Sequence, residues 1–140
     1  MVPLQQRINA FTTLGEQLGR LTKEKSEAYH TLIGTANAHN GWFTEENIVF
    51  ALENWSSALT QKNLTLWTDK YSFTESVPKT ISIVMAGNIP LVGFHDFLSV
   101  LISGNHIQAK MSSSDAILLT HITKLLTTIE PSFKKAITFT

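Results

Sequence analysis

Apolar positions in the first half of the chain keep to steps of three and four. Leu4, Ile8, Phe11, Leu14, Leu18 and Leu21 form one such stripe, the spacing of a helix with a single buried face. "KEKSEAYHTLIGTANAHN" keeps the same texture, so the helix is predicted to run on and to fray near Ala36 to Asn40. There Asn40-Gly41 gives a stop-and-turn signal. "GWFTEENIVFALENWSSAL" restarts the pattern. Thr44 suits an N-cap, Glu45 and Glu46 suit the positive helix end, and Ile48, Ala51, Leu52, Trp55 and Leu59 supply a buried face. Trp42-Phe43, just ahead of that cap, reads as a hydrophobic staple. A further short helix is predicted around Asn63 to Tyr71, with Leu64, Leu66 and Trp67.

Near Ser72 the texture changes. "SFTESVPK" is polar and carries a proline, so it reads as a linker. "TISIVMA" is β-branched and almost wholly apolar, which predicts a strand buried on both faces. Leu91 to Ile102 is long enough for a helix and stops at Gly104. "HIQAK" is a second short strand. Ser114 is placed to cap a helix from Asp115 to Ile129, Pro131 punctuates, and "AITFT" is a third strand. The predicted class is α/β: a helical amino-terminal segment (residues 1–75), then a β-α-β-α-β unit (residues 76–140). That unit is a partial Rossmann-like parallel sheet joined by right-handed crossovers. In doubly wound folds the ligand crevice forms where strand order reverses. Three strands therefore predict half of such a sheet, with its edges and faces covered by a second copy, by another chain or by the helical half folded back over it.

Composition narrows the function classes. Eleven basic and eleven acidic side chains cancel. Phosphate backbones and anionic membranes need a concentrated basic surface, so neither nucleic acid nor a membrane is an expected partner. The 140 residues contain no cysteine, which excludes disulfides, thiolate metal sites and a cysteine nucleophile within this chain. "MVPLQQRINAF" does not read as a signal peptide. The most apolar stretch, Ile81 to Ile102, contains Asn88, Pro90, His95 and Asp96 and makes a poor spanning helix. A cytoplasmic protein is expected. The histidines 30, 39, 95, 106 and 121 show no pair at i, i+4, so no metal site is expected. Neither a P-loop, Gly-x-Gly-x-x-Gly nor Gly-x-Ser-x-Gly occurs. Trp55 and Trp67 fall on apolar stripes, which favours packing over a stacking surface.

Candidate chemistry gathers where the predicted strands end. Asn88 and Pro90 follow the first strand, at the carboxyl edge where open α/β sheets put their ligand loops. Pro90 suits the start of the next helix, and Gly87 allows close backbone approach. A side-chain amide on rigid backbone can donate to a developing oxyanion; equally, Asn88 can turn the chain or cap the helix. Lys110, followed by Met111 and three serines, could reach a ribose or phosphate, or stand as a solvated lysine before a serine cap.

"VMAGNIPLVGFHDFLSVLISGNHIQAKMSSSD" (residues 84–115) resembles the nucleotide-binding region of the aldehyde dehydrogenase superfamily. There a strand enters an Asn-x-Pro-Leu turn, then a helix ending in Gly-Asn, then a strand ending in Lys. More narrowly, "MAGNIPLVGFHDF" is similar to the fatty acyl-CoA reductases of the bioluminescence type, as are "GWFTEENIVFAL" and the opening "LQQRINAFTTLGE". The resemblance covers essentially the whole chain. It implies an aldehyde-dehydrogenase-like fold and NADPH-dependent reduction of an acyl-CoA or other acyl thioester to an aldehyde through a cysteine-bound acyl group. By the same resemblance Asn88 would donate to the tetrahedral oxyanion, and Lys110 would contact the adenosine ribose or its 2′-phosphate. NAD-preferring relatives often carry an acidic residue three positions after that lysine. Here that position is Ser113, with Ser112 beside it, and a hydroxyl can hydrogen-bond a 2′-phosphate that a carboxylate would repel. The family's cysteine and its pyrophosphate loop lie further along the chain than this sequence runs. The expectation is therefore an amino-terminal portion that is inactive alone. The alternatives are a non-catalytic assembly module or an isolated nucleotide-binding fragment.

Overall fold

The computed structural model describes residues 2–73 and 76–140. Thr74 and Glu75, on the predicted linker and at its boundary, lie outside the described residues. Helix α1 (Leu4–Glu24) buries Ile8, Phe11, Leu14 and Leu18, the stripe its spacing predicts. The helix does not run on as predicted. Lys25 turns left-handed (φ 46°), its N–H closes on the Leu21 carbonyl, and α2 (Glu27–His39) starts afresh after Ser26. Helix α3 (Glu45–Ala58) begins at the predicted cap, where Thr44 Oγ1 accepts from the Asn47 N–H at 3.2 Å. Phe43 and Ile48, the two staple positions about that cap, are buried, whereas Trp42 is 86% exposed and stands outside it. Helix α4 (Gln61–Thr68) starts earlier than predicted because Thr60 supplies its cap. The Tyr29 hydroxyl donates to Glu45 Oε1 at 2.6 Å and ties α2 to the start of α3. Burial and that carboxylate push the phenol up to about 12.

The second half is built as β1 (Thr80–Val84), α5 (Phe94–Ile102), β2 (His106–Lys110), α6 (Ala116–Ile129) and β3 (Ile137–Phe139). The strands pair in parallel in the order β1-β2-β3. The register aligns Ile81 with Ile107 and Ile137, and Ser82 with Gln108 and Thr138. Each crossover steps one strand onward in the same direction, so crossovers of one hand put α5 and α6 on the same face. The alternation of burial agrees. Ile81, Ile83, Ile107, Ala109, Ile137 and Phe139 face the helices, while Thr80, Ser82, Val84, Gln108, Lys110 and Thr138 are exposed. The prediction that β1 is buried on both faces is corrected by this pattern: Val84 is 83% exposed, because no helix among the described residues covers the other face. The fold is thus helix-rich, with a small all-parallel sheet.

The helical half closes over α5 and α6 from the opposite side. Helix α1 packs on α3, α4, α5 and α6. Its Phe11 lies 6.5 Å from Phe94 and 5.8 Å from Phe133, ring centre to ring centre, and Trp55 meets Phe94 edge-on at 4.6 Å. Arg7, which the helical pattern leaves on a polar position, is buried. Its Nε donates to the Ile102 carbonyl at 2.8 Å and its Nη1 to that of Val2, so it caps the end of α5. No helix among the described residues is long and apolar enough to cross a membrane.

Candidate functional site

The exits of β1 and β2 lie side by side. Val84 pairs with Lys110 at the last rung, and the Met85 N–H donates to the Lys110 carbonyl at 3.0 Å. The two loops that follow, residues 85–93 and 111–115, therefore rise from one rim. They touch closely. A Cβ on Gly87 would come within 2.2 Å of Ser112 Oγ and 2.5 Å of Ser112 Cβ, so the contact exists only because residue 87 has no side chain.

Within the first loop Pro90 and Leu91 are buried while Asn88 and Ile89 are exposed. Helix α5 starts at Phe94 rather than beside Pro90, because Leu91 adopts a left-handed conformation (φ 61°) and breaks the first turn. That conformation costs a residue with a Cβ about 1–2 kcal/mol. The Asn88 amide makes no hydrogen bond to the described residues, so it neither caps α5 nor closes the turn. It is held out at the rim by its backbone.

Lys110, the last residue of β2, is exposed, and in the second loop Ser113 is exposed and Ser112 half-buried. The predicted cap is displaced: Ser112, not Ser114, uses its hydroxyl, accepting from the Ser114 N–H at 3.2 Å to start a 3₁₀ turn over Ser113–Asp115. Helix α6 follows from Ala116. The loop is also tied to the helical half, since Asn40 Nδ2 donates to the Ser114 carbonyl at 3.3 Å. Asn88, Ser112 and Ser113 are thus carried by adjoining loops, and Lys110 by the strand end between them, at the carboxyl edge of neighbouring strands.

Asp115 is the residue that sequence reading passed over. It is 8% exposed, and its Oδ2 accepts from the Leu91 N–H at 2.7 Å, while Oδ1 is buried without a partner among the described residues. Burial pushes the carboxyl up to about 7, with the Leu91 N–H holding it back. The folded chain consequently holds a proton that the unfolded chain, near pH 4, gives up. Between about pH 4 and 7 the folded state binds more protons, so this group's contribution to stability is full below that window and is lost as the pH rises through 7. His121, half-buried beside Lys124, has its pKa lowered from the usual 6.5, first by burial and then by that lysine, and works in the opposite sense as the pH falls. We expect denaturant midpoints to fall less from pH 5 to pH 8 in Asp115→Asn than in the unaltered chain. Equal falls in the two would show that the carboxyl does not titrate in this range.

His95 and Asp96 open α5 with Nδ1 and Oδ1 3.9 Å apart, both exposed. That is beyond hydrogen-bond range, and His95 instead stands between the Trp55 and Trp67 rings at 6.5 and 6.3 Å. Hollows of about 550 and 640 Å³ lie at the start of the strands and between α2 and α6. The first opens at the other end of the strands and the second begins at Ala116, just past the serine loop, and none of Asn88, Lys110, Ser112 and Ser113 lines either. The space between the two loops is only about 10 Å³, so the candidate site is an open edge rather than an enclosed pocket.

Residues 20–138 match the acyl-CoA reductase (LuxC) family. The chain belongs to that family. The match spans both loops, α2 to α6 and all of β1 and β2, and so takes in every candidate residue of the rim. No curated protein and no solved structure matches the chain. Membership in the LuxC family ties the chain to acyl-CoA reduction and makes an acyl substrate and a nicotinamide cofactor fitting partners for it.

Proposed function

We propose that the chain supplies the oxyanion donor and the adenosine side of the NADPH site in an enzyme that reduces acyl thioesters to aldehydes. Family membership over residues 20–138 carries this reading. In it, the Asn88 amide donates to the oxygen that gains charge when a thiolate attacks the thioester, a place where a pre-aligned donor lowers the barrier. Lys110 offers a cation and Ser112 and Ser113 two hydroxyls, with no carboxylate at position 113. That donor set fits a ribose bearing a 2′-phosphate. The nearest acid in the sequence, Asp115, is engaged by Leu91 and buried, so it is not presented to such a phosphate. The cofactor, when bound, supplies the hydride. The three strands would form half of a doubly wound sheet of the aldehyde dehydrogenase type.

The chain has no thiol of its own, and the division of labour follows from that. Purified 140-residue protein with long-chain acyl-CoA and NADPH is expected to oxidise no NADPH, whereas an enzyme that includes both this segment and a cysteine nucleophile oxidises it. Turnover by the purified chain alone would falsify the division.

A second reading, assembly without catalysis, is favoured by the sheet face and the two sheet edges that no described residue of the chain covers. All-parallel sheets are ordinarily covered on both sides. On that reading a second copy, or the remainder of the enzyme, seats against Ser82, Gln108 and Thr138. Light scattering on the purified chain should then report a dimer or larger species, and a monomer at all concentrations counts against self-assembly.

A further inference from the structure

We propose that Asp115 is a positioning residue, a latch that fastens the Asn88 turn to the serine loop through the Leu91 amide so that the two rim loops act as one unit. Its consequence for an oxyanion rests on the thioester reading above; the latch itself does not.

The geometry singles this residue out. Asp115 occupies the N-cap position of α6, where a carboxylate ordinarily accepts from an N–H of its own first turn. It makes no such bond. Its Oδ2 reaches instead to Leu91, 24 residues earlier in the chain, at 2.7 Å. Leu91 is the left-handed residue of the loop, and its buried N–H would otherwise be without an acceptor among the described residues. Asn88 thus lies between two fastenings: Gly87 pressed on Ser112 on one side, and Leu91 bonded to Asp115 on the other. The serine loop is in turn held by Asn40. An exposed amide that makes no hydrogen bond to the described residues acquires a fixed direction only from such fastenings, and a fixed direction is what an oxyanion donor needs.

The test uses the 140-residue chain, labelled for NMR, with Asp115→Asn and Asp115→Ala beside it. The asparagine variant keeps an acceptor oxygen, so Leu91 should stay protected from hydrogen exchange and the Asn88 side-chain amide signals should stay in place. In the alanine variant Leu91 exchange should rise by about tenfold or more and the Asn88 signals should move, while core amides such as Ile107 and Leu126 remain slow. Unmoved Asn88 signals with a slow Leu91 amide in Asp115→Ala overturn the proposal. So does a uniform loosening of all amides that asparagine fails to rescue, since that is what a purely structural role produces. Should the alanine variant not fold, a coupling across the hydrogen bond between Leu91 N and Asp115 Cγ, sought in the unaltered chain, decides the matter: its presence supports the latch and its absence overturns it. No ligand enters these measurements. Failure of the thioester reading would leave them unchanged, and failure of the latch would leave that reading to its own test.

Discussion

Replacing Asn88 by alanine in an enzyme that turns over acyl-CoA is expected to lower kcat by about 10²–10³, equivalent to roughly 3–4 kcal/mol of lost transition-state stabilisation. Two observations make the effect one on rate rather than on folding. The side chain is exposed and bonds to no described residue, so its removal empties no core and orphans no partner. The backbone around it is held by Gly87 and by buried Pro90 and Leu91, which alanine at position 88 leaves untouched. Thermal unfolding should therefore shift little while steady-state turnover collapses. KM for acyl-CoA should change far less than kcat, because the donor acts on charge that develops only in the transition state. An unaltered kcat would return Asn88 to a residue that merely occupies a turn.

Phe94→Ala should have the largest effect on stability, about 3–5 kcal/mol, of a total that for domains is about 5–15 kcal/mol. Phe94 is fully buried. It is the first residue of α5 and is touched by rings from three directions: Phe11 of α1, Trp55 of α3, and Phe97 one turn on at 5.8 Å. Alanine removes an aromatic side chain from a position that neighbours on three elements hold in place, so the hole collapses poorly. The midpoint of urea unfolding should drop with an unchanged slope, the sign of lost stability without a change in the surface exposed. A shift worth less than about 1 kcal/mol would mean that the helical layer closes the gap by moving toward the sheet. The same substitution loosens the junction between the helical half and the Asn88 turn, since α5 begins directly after that turn.

Local patterns carried most of the architecture. The apolar stripe of α1, the Thr44 cap and the three short strands are each set by residues within a few positions of one another, and each stands where the spacing predicts. What the sequence did not disclose depends on distant partners. The break at Lys25 has no glycine to announce it, because a lysine takes the left-handed position where glycine is usual. "TISIV" already alternates, but whether its second face is covered depends on what packs there, and no helix of the described chain does. At the rim, strand exits and a serine-rich loop could be read directly. The Asp115–Leu91 bond could not, since Asp115, directly after the predicted Ser114 cap, reads as the first residue of its own helix and its partner lies 24 residues back. Arg7 escaped for the same reason: its burial follows from a carbonyl 95 residues away.

That last contact bears on the order of synthesis and folding. Arg7 Nε must wait for Ile102, 95 residues later, and Gln6, which donates to Glu130 at 2.8 Å, for a residue 124 positions on. The stripe of α1 can seat on α3 and α4 as soon as those helices are made, whereas its ties to the ends of α5 and α6 wait for residues 102 and 130. Loops of that span close late and slow the final step. Shaving the first turn of this helix would uncap α5 from the far side and take Gln6 and Arg7 from the wall of the hollow at the start of the strands, so that a cut at residue 7 would be felt around residue 102.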